Sequence, residues 1–432
     1  MRANDYVDSA KGEKRILRYT YLLALIGFIN LGFYKGEILN QKFDYGALVI
    51  CFVISILIGY SYFIIRKFFP DGDKYLFVFA AILTVIGIIM LYRIDATSLM
   101  LHNADVANNV KRPYYISNYA IKQVIWFAVG VAGFICIVVL LPDLKTYRKY
   151  KYVYLVFTLI FMAMASLIGT EVNGSQNWVL FGGFGFQPSE FGKLFLVAYL
   201  ASSLKDYDNF ASLIEPAIIV MVSLGFVVLQ KDLGSALIIF GIAITMLYIA
   251  TSNLKYILTC FFLFMIGCVI SYKLFDHVRL RITIWRNPWP YALNKSYQVV
   301  QSLISIASGG LFGAGLGKGH PEFVPVNATD FIFAAICEDL GLLMGFAIIL
   351  LYFLLFYRCM RAAFYVEDTF SRLLTVGYSA MIASQVLVII GGVTNMIPLT
   401  GITLPLISYG GSSMLIIMFS LGIIQKVSED SL

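Results

Sequence analysis

Several groups of side chains in this sequence have the types and spacing that chemistry requires. In Gln187-Pro188-Ser189-Glu190, the carboxylate is followed three residues later by Lys193. Pro188 suits a first helical turn, where its missing N–H costs nothing. Glu190 and Lys193 then share a helix face and lie close enough to pair. The pair reads either as a capping device that lets a marginal span insert or as the wall of a polar cavity. A second group, Gln230-Lys231-Asp232-Leu233-Gly234-Ser235, separates two apolar runs by almost nothing. Asp232 reads there as an N-cap, as a functional carboxylate, or as both. Asp330 is expected to cap the helix that follows it, and Glu338 and Asp339 fall about two turns deeper. Two adjacent carboxylates in an apolar run require a proton, a cation or a cavity. Arg279, Arg281 and Arg286 cluster after an apolar run. Guanidinium groups pair well with phosphate oxygens, so the cluster suits an anionic ligand; the alternative is snorkelling at a lipid interface. The segment from Pro398 through Gly401, Pro405 and Ser408 to Ser413 is rich in helix breakers and reads as structural.

The elements that must position these residues follow from composition. Of 432 residues, 60% are hydrophobic and 13% charged, against about 25% charged in an ordinary soluble domain. One aqueous core cannot bury that excess, and lipid removes the conflict. Apolar runs near 16–34, 47–65, 75–92, 124–141, 152–169, 190–204, 212–229, 233–251, 256–275, 331–357, 370–396 and 407–427 predict an all-α, polytopic membrane protein with about twelve transmembrane helices. The 190–204 run is marginal, because a span needs about 20 residues. The N-terminal apolar run is too long for a cleavable signal and reads as a first span.

The net charge of +7 is spread over short loops and reads as topology, with no nucleic-acid partner expected. Lys and Arg concentrate in the N-terminal tail and in the 66–74, 143–151 and 358–372 loops. The positive-inside rule makes these cytoplasmic, with both termini inside. Loops at 93–123, 170–189, 276–330 and 397–406 then fall outside. The 276–330 loop is long for an idle connection. It holds Trp285, Trp289, Tyr291 and Tyr297, a Gly-rich run from Gly309 to Gly319, and a segment, Tyr297 to Ala307, that predicts a short amphipathic helix lying on the membrane. Residues 1–74 form a tail and two helices; 75–432 form the main membrane domain. The six cysteines read as small buried hydrophobes, and the three scattered histidines suggest no metal site.

Six motifs, in order, resemble the SEDS family of cell-wall polymerases (the FtsW/RodA/SpoVE group). They are Gln187-Pro188-Ser189-Glu190 with Lys193; Lys231-Asp232-Leu233-Gly234; Asn287-Pro288-Trp289 followed by Tyr297-Gln298; the Gly-rich run; Thr329-Asp330-Phe331-Ile332-Phe333 with Glu338; and Pro398 through Ser413. Family members usually have ten spans, so this chain adds two at its N-terminus. The resemblance implies a peptidoglycan glycosyltransferase in the bacterial cytoplasmic membrane. It would polymerise lipid II, an undecaprenyl-diphosphate-linked disaccharide peptide, beside a class B penicillin-binding protein. A sugar hydroxyl attacks the anomeric carbon and undecaprenyl diphosphate leaves. That asks for a carboxylate base and for cations at the diphosphate. Glu190, Lys193 and Asp232 are implied to line the polar cavity, with Asp276 as a further candidate catalytic carboxylate. Trp178, Arg279, Arg281, Arg286, Gln298, Asp330 and Glu338 are candidates for substrate binding. No cofactor is required, although a divalent cation, Mg2+ or Mn2+, is compatible with a diphosphate leaving group.

The chain departs from the family at three points. The aspartate usual between the Asn-Pro-Trp and Tyr-Gln elements is Tyr291, an arginine before Trp178 is Asn177, and a histidine before Thr329 is Ala328. A tyrosine is a poor base at neutral pH. Three readings remain: polymerisation with another carboxylate, such as Asp276 or Glu322; a non-catalytic scaffold; or movement of a lipid-linked precursor.

Overall fold

The computed structural model describes residues 3–107, 117–141, 143–172, 174–181 and 184–430. Its helices are α1 (Ala3–Ile38), α2 (Tyr45–Phe68), α3 (Tyr75–Ala107), α4 (Tyr119–Leu140), α5 (Lys151–Ile168), α6 (Pro188–Leu204), α7 (Ile214–Leu229), α8 (Leu233–Thr251), α9 (Leu254–Leu274), α10 (Asp276–Arg286), α11 (Tyr297–Gly309), α12 (Ile332–Tyr365), α13 (Thr369–Val393) and α14 (Gly411–Asp430). Among the described residues, eleven helical segments are long and apolar enough to cross a membrane. The twelfth expected span is α6, a 17-residue helix starting on Pro188. It is buried along most of its length, so protein rather than lipid surrounds it.

The bundle is organised around α3, α13 and α14, whose most apolar stretches are 89%, 78% and 78% buried, whereas that of α9 is 0% buried. The first three are walls shared with other helices, and α9 faces outward along its length. Close approach has a local cause at Gly87, where a Cβ would stand 2.4 Å from the Ile407 carbonyl oxygen. The cysteine expectation holds for Cys51, Cys337 and Cys359, while Cys136 and Cys268 lie exposed on α4 and α9. In a lipid-facing helix an apolar thiol needs no core.

Three expectations are corrected. Helix α3 does not stop near residue 92 but runs to Ala107; of the loop expected at 93–123, residues 108–116 lie outside the described residues. Arg93 and Asp95 interrupt the hydropathy but not the helix, because both side chains are buried against partners. The 170–189 segment is not plain loop. Its β-branched and aromatic residues form β1 (Thr170–Val172), β2 (Ser175–Phe181) and β3 (Phe184–Phe186), an antiparallel sheet in the order β1-β2-β3. Finally, Asp330 does not cap α12, since no side chain caps that helix.

Helix α12 breaks at Gly341, whose φ of 82° and ψ of 169° only glycine adopts readily. The amides freed by the break are not orphaned: Leu342 N–H donates to Gly310 C=O (2.9 Å) and Leu343 N–H to Leu311 C=O (3.2 Å). The amphipathic helix expected from Tyr297 is α11, which packs into the bundle through Val299, Val300 and Ser302.

The basic loops gather at one end. There Arg358 pairs with Asp73 (3.2 Å) and stacks over the Tyr75 ring (4.1 Å), and Arg148 approaches Asp368 (3.9 Å). The N-termini of α6 and α8 lie at the other end, with the 276–330 segment.

Candidate functional site

The site is built where α6 and α8 begin. After α7, Lys231 takes a left-handed φ of 61°, and Asp232 N–H closes on Val227 C=O at 3.0 Å. The chain reverses within three residues, and Asp232 becomes the N-cap of α8. Its Oδ1 accepts from Ser235 N–H (3.0 Å) and its Oδ2 from the Ser235 hydroxyl (2.9 Å). Oδ2 also accepts from Gln187 Nε2 (3.1 Å) and Asn177 Nδ2 (3.3 Å). Four donors thus converge on a carboxylate that is 2% exposed, the satisfaction that burial demands. The sheet is tied to the same turn by Gln176 N–H to Gln230 C=O (3.1 Å) and the Ser175 hydroxyl to Lys231 C=O (3.3 Å). Asn177, one of the departures, is therefore a direct partner of Asp232.

Gln187 stands just before α6, and one turn later Glu190 Oε1 accepts from Lys193 Nζ at 2.7 Å. The two side chains are 6% and 0% exposed. Glu190 Oε2 and the Ser189 hydroxyl are buried with no protein partner. A buried pair with spare polar atoms beside it faces the protein interior and not lipid.

Arg281 reaches this region from α10. Its Nη1 donates to the carbonyls of Leu399 and Thr400, both at 3.1 Å. Burial pulls its pKa down, and the Asp232 and Asp330 carboxylates oppose that. Thr400 and Gly401 lie between the two acids: a Cβ on Gly234 would meet Thr400 Oγ1 at 3.3 Å, and one on Gly401 would sit 3.5 Å from Asp330 Oδ2. The Thr400 hydroxyl is buried without a partner. Asp330 turns instead toward the Thr329 hydroxyl and lies within the field of Arg281. Burial pushes the Asp330 carboxyl up to about 6, Asp232 adds to the rise, and the Thr329 hydroxyl and Arg281 resist it.

His277, on the first turn of α10, was not singled out from sequence. Its Nε2 is buried without a partner, and its pKa is lowered by burial, then by Arg281 and Lys231. Arg93 was also missed. It pairs with Asp339 (3.1 Å, both side chains 1% exposed), and Asp339 further accepts from Gly317 N–H (3.1 Å) and Gly319 N–H (2.9 Å). Glu338 Oε1 accepts from His320 N–H at 2.9 Å, while its Oε2 is unpartnered. Glu338 therefore belongs to this second cluster, which secures the Gly-rich loop. The signal for Arg93 lay in the sequence: an arginine beside an apolar run requires an acid, and Asp339 was an acid requiring a cation.

The structure thus joins Glu190, Lys193, Asp232, Asp330 and Arg281 in one polar region. It does not bring the remaining candidates into contact with Asp232 or Glu190. Asp276 is 98% exposed and pairs with Arg279 at 3.4 Å. Arg286 and Gln298 are exposed, and Trp178 is half-buried in β2. Tyr291 is 43% exposed in a short turn, and Ala328 is buried, its carbonyl accepting from Tyr409 N–H at 2.9 Å.

Asp330 yields a pH-dependent prediction. A carboxyl whose pKa rises from 3.8 to about 6 on folding holds its proton more tightly in the folded state. Its ionisation therefore weakens the fold as pH rises through that window, and the cost is complete above it. Asp330→Asn is expected to stabilise the protein at pH 7.5 by on the order of 2 kcal/mol. At pH 4 the two proteins should converge. Thermal unfolding in detergent at both pH values checks this, and an offset that does not change with pH would contradict it.

A family model described as "Cell cycle protein", of the FtsW/RodA/SpoVE group, matches residues 73–431. The peptidoglycan glycosyltransferase RodA of Mycobacterium tuberculosis H37Rv is 35% identical over 395 residues, covering 86% of this chain and 81% of that protein. Stage V sporulation protein E of Bacillus subtilis 168 is 34% identical over 374 residues, covering 83% and 97%. Among solved structures, a chain of a peptidoglycan synthase complex, described as coordinating polymerization and crosslinking, aligns with a TM-score of 0.68 at 23% identity over 83% of this chain and 98% of that one. Thermus thermophilus RodA aligns with a TM-score of 0.59 at 24% identity over 83% and 97%. At those identities the structures speak to the fold alone, and the family model and the sequence relatives carry the assignment: this protein is a member of the FtsW/RodA/SpoVE family.

Proposed function

We propose that the chain is a peptidoglycan glycosyltransferase that polymerises lipid II into glycan strands at the outer membrane face. Relatives at 34–35% identity include proteins named for that activity. The observation that carries the reading is the Gln187–Asp232 hydrogen bond, which joins the α8 turn to the helix start that holds the Glu190–Lys193 pair, with Arg281 fixed on the neighbouring Leu399 and Thr400 carbonyls. In the reaction, an acceptor sugar oxygen bonds to the anomeric carbon, the bond to undecaprenyl diphosphate breaks, and the acceptor loses a proton. Asp330 is the base: with a pKa of about 6 it is ionised at neutral pH yet still basic enough to take that proton. Asp232, held by four donors, fixes the turn. Arg281 faces the charge that develops on the diphosphate, and Glu190 and Lys193 line the cavity beneath.

No group of three metal-ligating side chains occurs among the described residues. Any Mg2+ or Mn2+ would be carried in on the diphosphate and held by its oxygens, which leaves Asp330 to its role as base. Such an ion would neutralise leaving-group charge.

The basic end of the bundle and both termini face the cytoplasm in this reading, as the positive-inside rule requires. A class B penicillin-binding protein is the partner that would cross-link the product. A second reading, a scaffold without catalysis, is favoured by Tyr291 at the position where the family usually carries aspartate.

Purified full-length protein in liposomes with lipid II separates the two, assayed with and without divalent metal and a class B partner. Glycan strands, lost in Asp330→Asn, are expected. No polymer under any of these conditions, with partner binding retained, would overturn the enzyme reading in favour of the scaffold.

A further inference from the structure

Residues 1–72 lie outside the family match, yet α1 reaches the polar machinery. Two consecutive residues of α1 meet two consecutive residues of α3 in a crossed pair of cation–π contacts. The Arg93 guanidinium lies 4.8 Å from the centre of the Tyr34 ring, and Lys35 Nζ lies 4.5 Å from that of Tyr92. The crossing is locked by Asp44, which caps α2, pairs with Lys35 (3.2 Å) and accepts from the Tyr92 hydroxyl.

Arg93 is a fully buried cation, and each of its three nitrogens is engaged. Nε meets Asp339 (3.1 Å), Nη2 donates to Gly319 C=O (2.8 Å), and Nη1 donates to Thr97 and to the Tyr34 hydroxyl (3.3 Å). Asp339 in turn holds the Gly317 and Gly319 amides. Tyr34 closes the circuit from the other side, because its ring lies against Gly317: a Cβ there would stand 3.2 Å from Tyr34 Cδ2. One tyrosine therefore touches both the cation that anchors the Gly-rich loop and the loop itself.

We propose that Tyr34 is a positioning residue: the N-terminal hairpin sets the Gly313–His320 segment through the Arg93–Asp339 clamp, and that segment leads to Asp330. The ring works in two ways. It supplies a π-face to a desolvated guanidinium, and it packs against the loop at Gly317. The link to catalysis rests on the polymerase reading above; the link to the loop does not.

Two measurements on full-length protein keep those links apart. In hydrogen exchange, Tyr34→Ala is expected to speed exchange across 313–320 by about tenfold while α13 and α14 stay protected. Tyr34→Phe keeps the ring and should remain near wild type. In the polymerisation assay, Tyr34→Ala should lower kcat about tenfold with little change in KM for lipid II, and Tyr34→Phe should restore it. Unchanged loop exchange in Tyr34→Ala, or equal loosening of the whole bundle, would overturn the brace. A loosened loop with undiminished kcat would overturn the positioning role. Wild-type protein that makes no polymer would defeat the polymerase reading, while the exchange data would still decide the brace.

Discussion

Asp232→Asn is expected to abolish glycan formation, with a loss of at least about 100-fold, in a protein that still folds. The separation follows from what each oxygen does. Oδ1 caps α8 through Ser235 N–H, and asparagine serves as an N-cap about as well as aspartate. Oδ2 gathers Gln187, Asn177 and the Ser235 hydroxyl. An amide cannot offer an acceptor to the cap and to three further donors while presenting N–H groups of its own. Arg281 also loses one of the two carboxylates that offset the cost of its burial. The turn then keeps its shape while its electrostatics collapse. Asp232→Ala should be inactive and unstable as well, losing about 1 kcal/mol of cap and leaving buried donors unpaired. Measuring strand synthesis alongside thermal unfolding for both variants distinguishes chemistry from folding. Polymerisation by Asp232→Asn within a few-fold of wild type would remove Asp232 from the site.

The spans were legible because lipid imposes one demand on every residue of a crossing helix, and hydropathy reads that demand directly. It failed where a charge is neutralised by a residue far along the chain. Arg93 ended the predicted third span because its partner, Asp339, is 246 positions away; the helix continues because the ion pair removes the penalty that hydropathy had counted. Glu338 and Asp339 need compensation, but a single sequence does not say that Arg93 and the amides of Gly317, Gly319 and His320 supply it. Asp330 illustrates the limit of a local rule: the rule made it a cap, but α12 starts without a side-chain cap and the Asp330 carboxylate turns to the Thr329 hydroxyl instead. The strands of residues 170–186 were invisible for another reason: β1 and β3 are three residues long, and the seven residues of β2 run from polar Ser175-Gln176-Asn177 to apolar Trp178-Val179-Leu180-Phe181 without alternating. The turn at Lys231–Asp232 was legible because its signals are local: a cap residue, a following glycine and apolar runs on both sides.

Lys193→Met is expected to destabilise the protein by about 3–5 kcal/mol, more than any other single change considered, and to stop polymerisation. The size follows from enclosure. The Lys193 and Glu190 side chains are 0% and 6% exposed, and Glu190 Oε2 already lacks a partner. Removing the ammonium strands a buried carboxylate in the first turn of α6 with no cation against it, and such a group must take up a proton or admit water. Methionine fills the vacated space, so cavity formation contributes little and the loss reports electrostatics. Pairing it with Glu190→Gln removes the stranded charge, so the double variant should recover most of the stability and none of the activity. That combination is diagnostic. A pair kept only to let a short helix insert could be replaced without cost to turnover, whereas a cavity wall could not. Unfolding midpoints of the two single variants and the double variant, with strand synthesis on each, complete the cycle. Recovery of both stability and synthesis in the double variant would reduce Glu190 and Lys193 to an insertion device, leaving Asp232, Asp330 and Arg281 to carry the reaction alone.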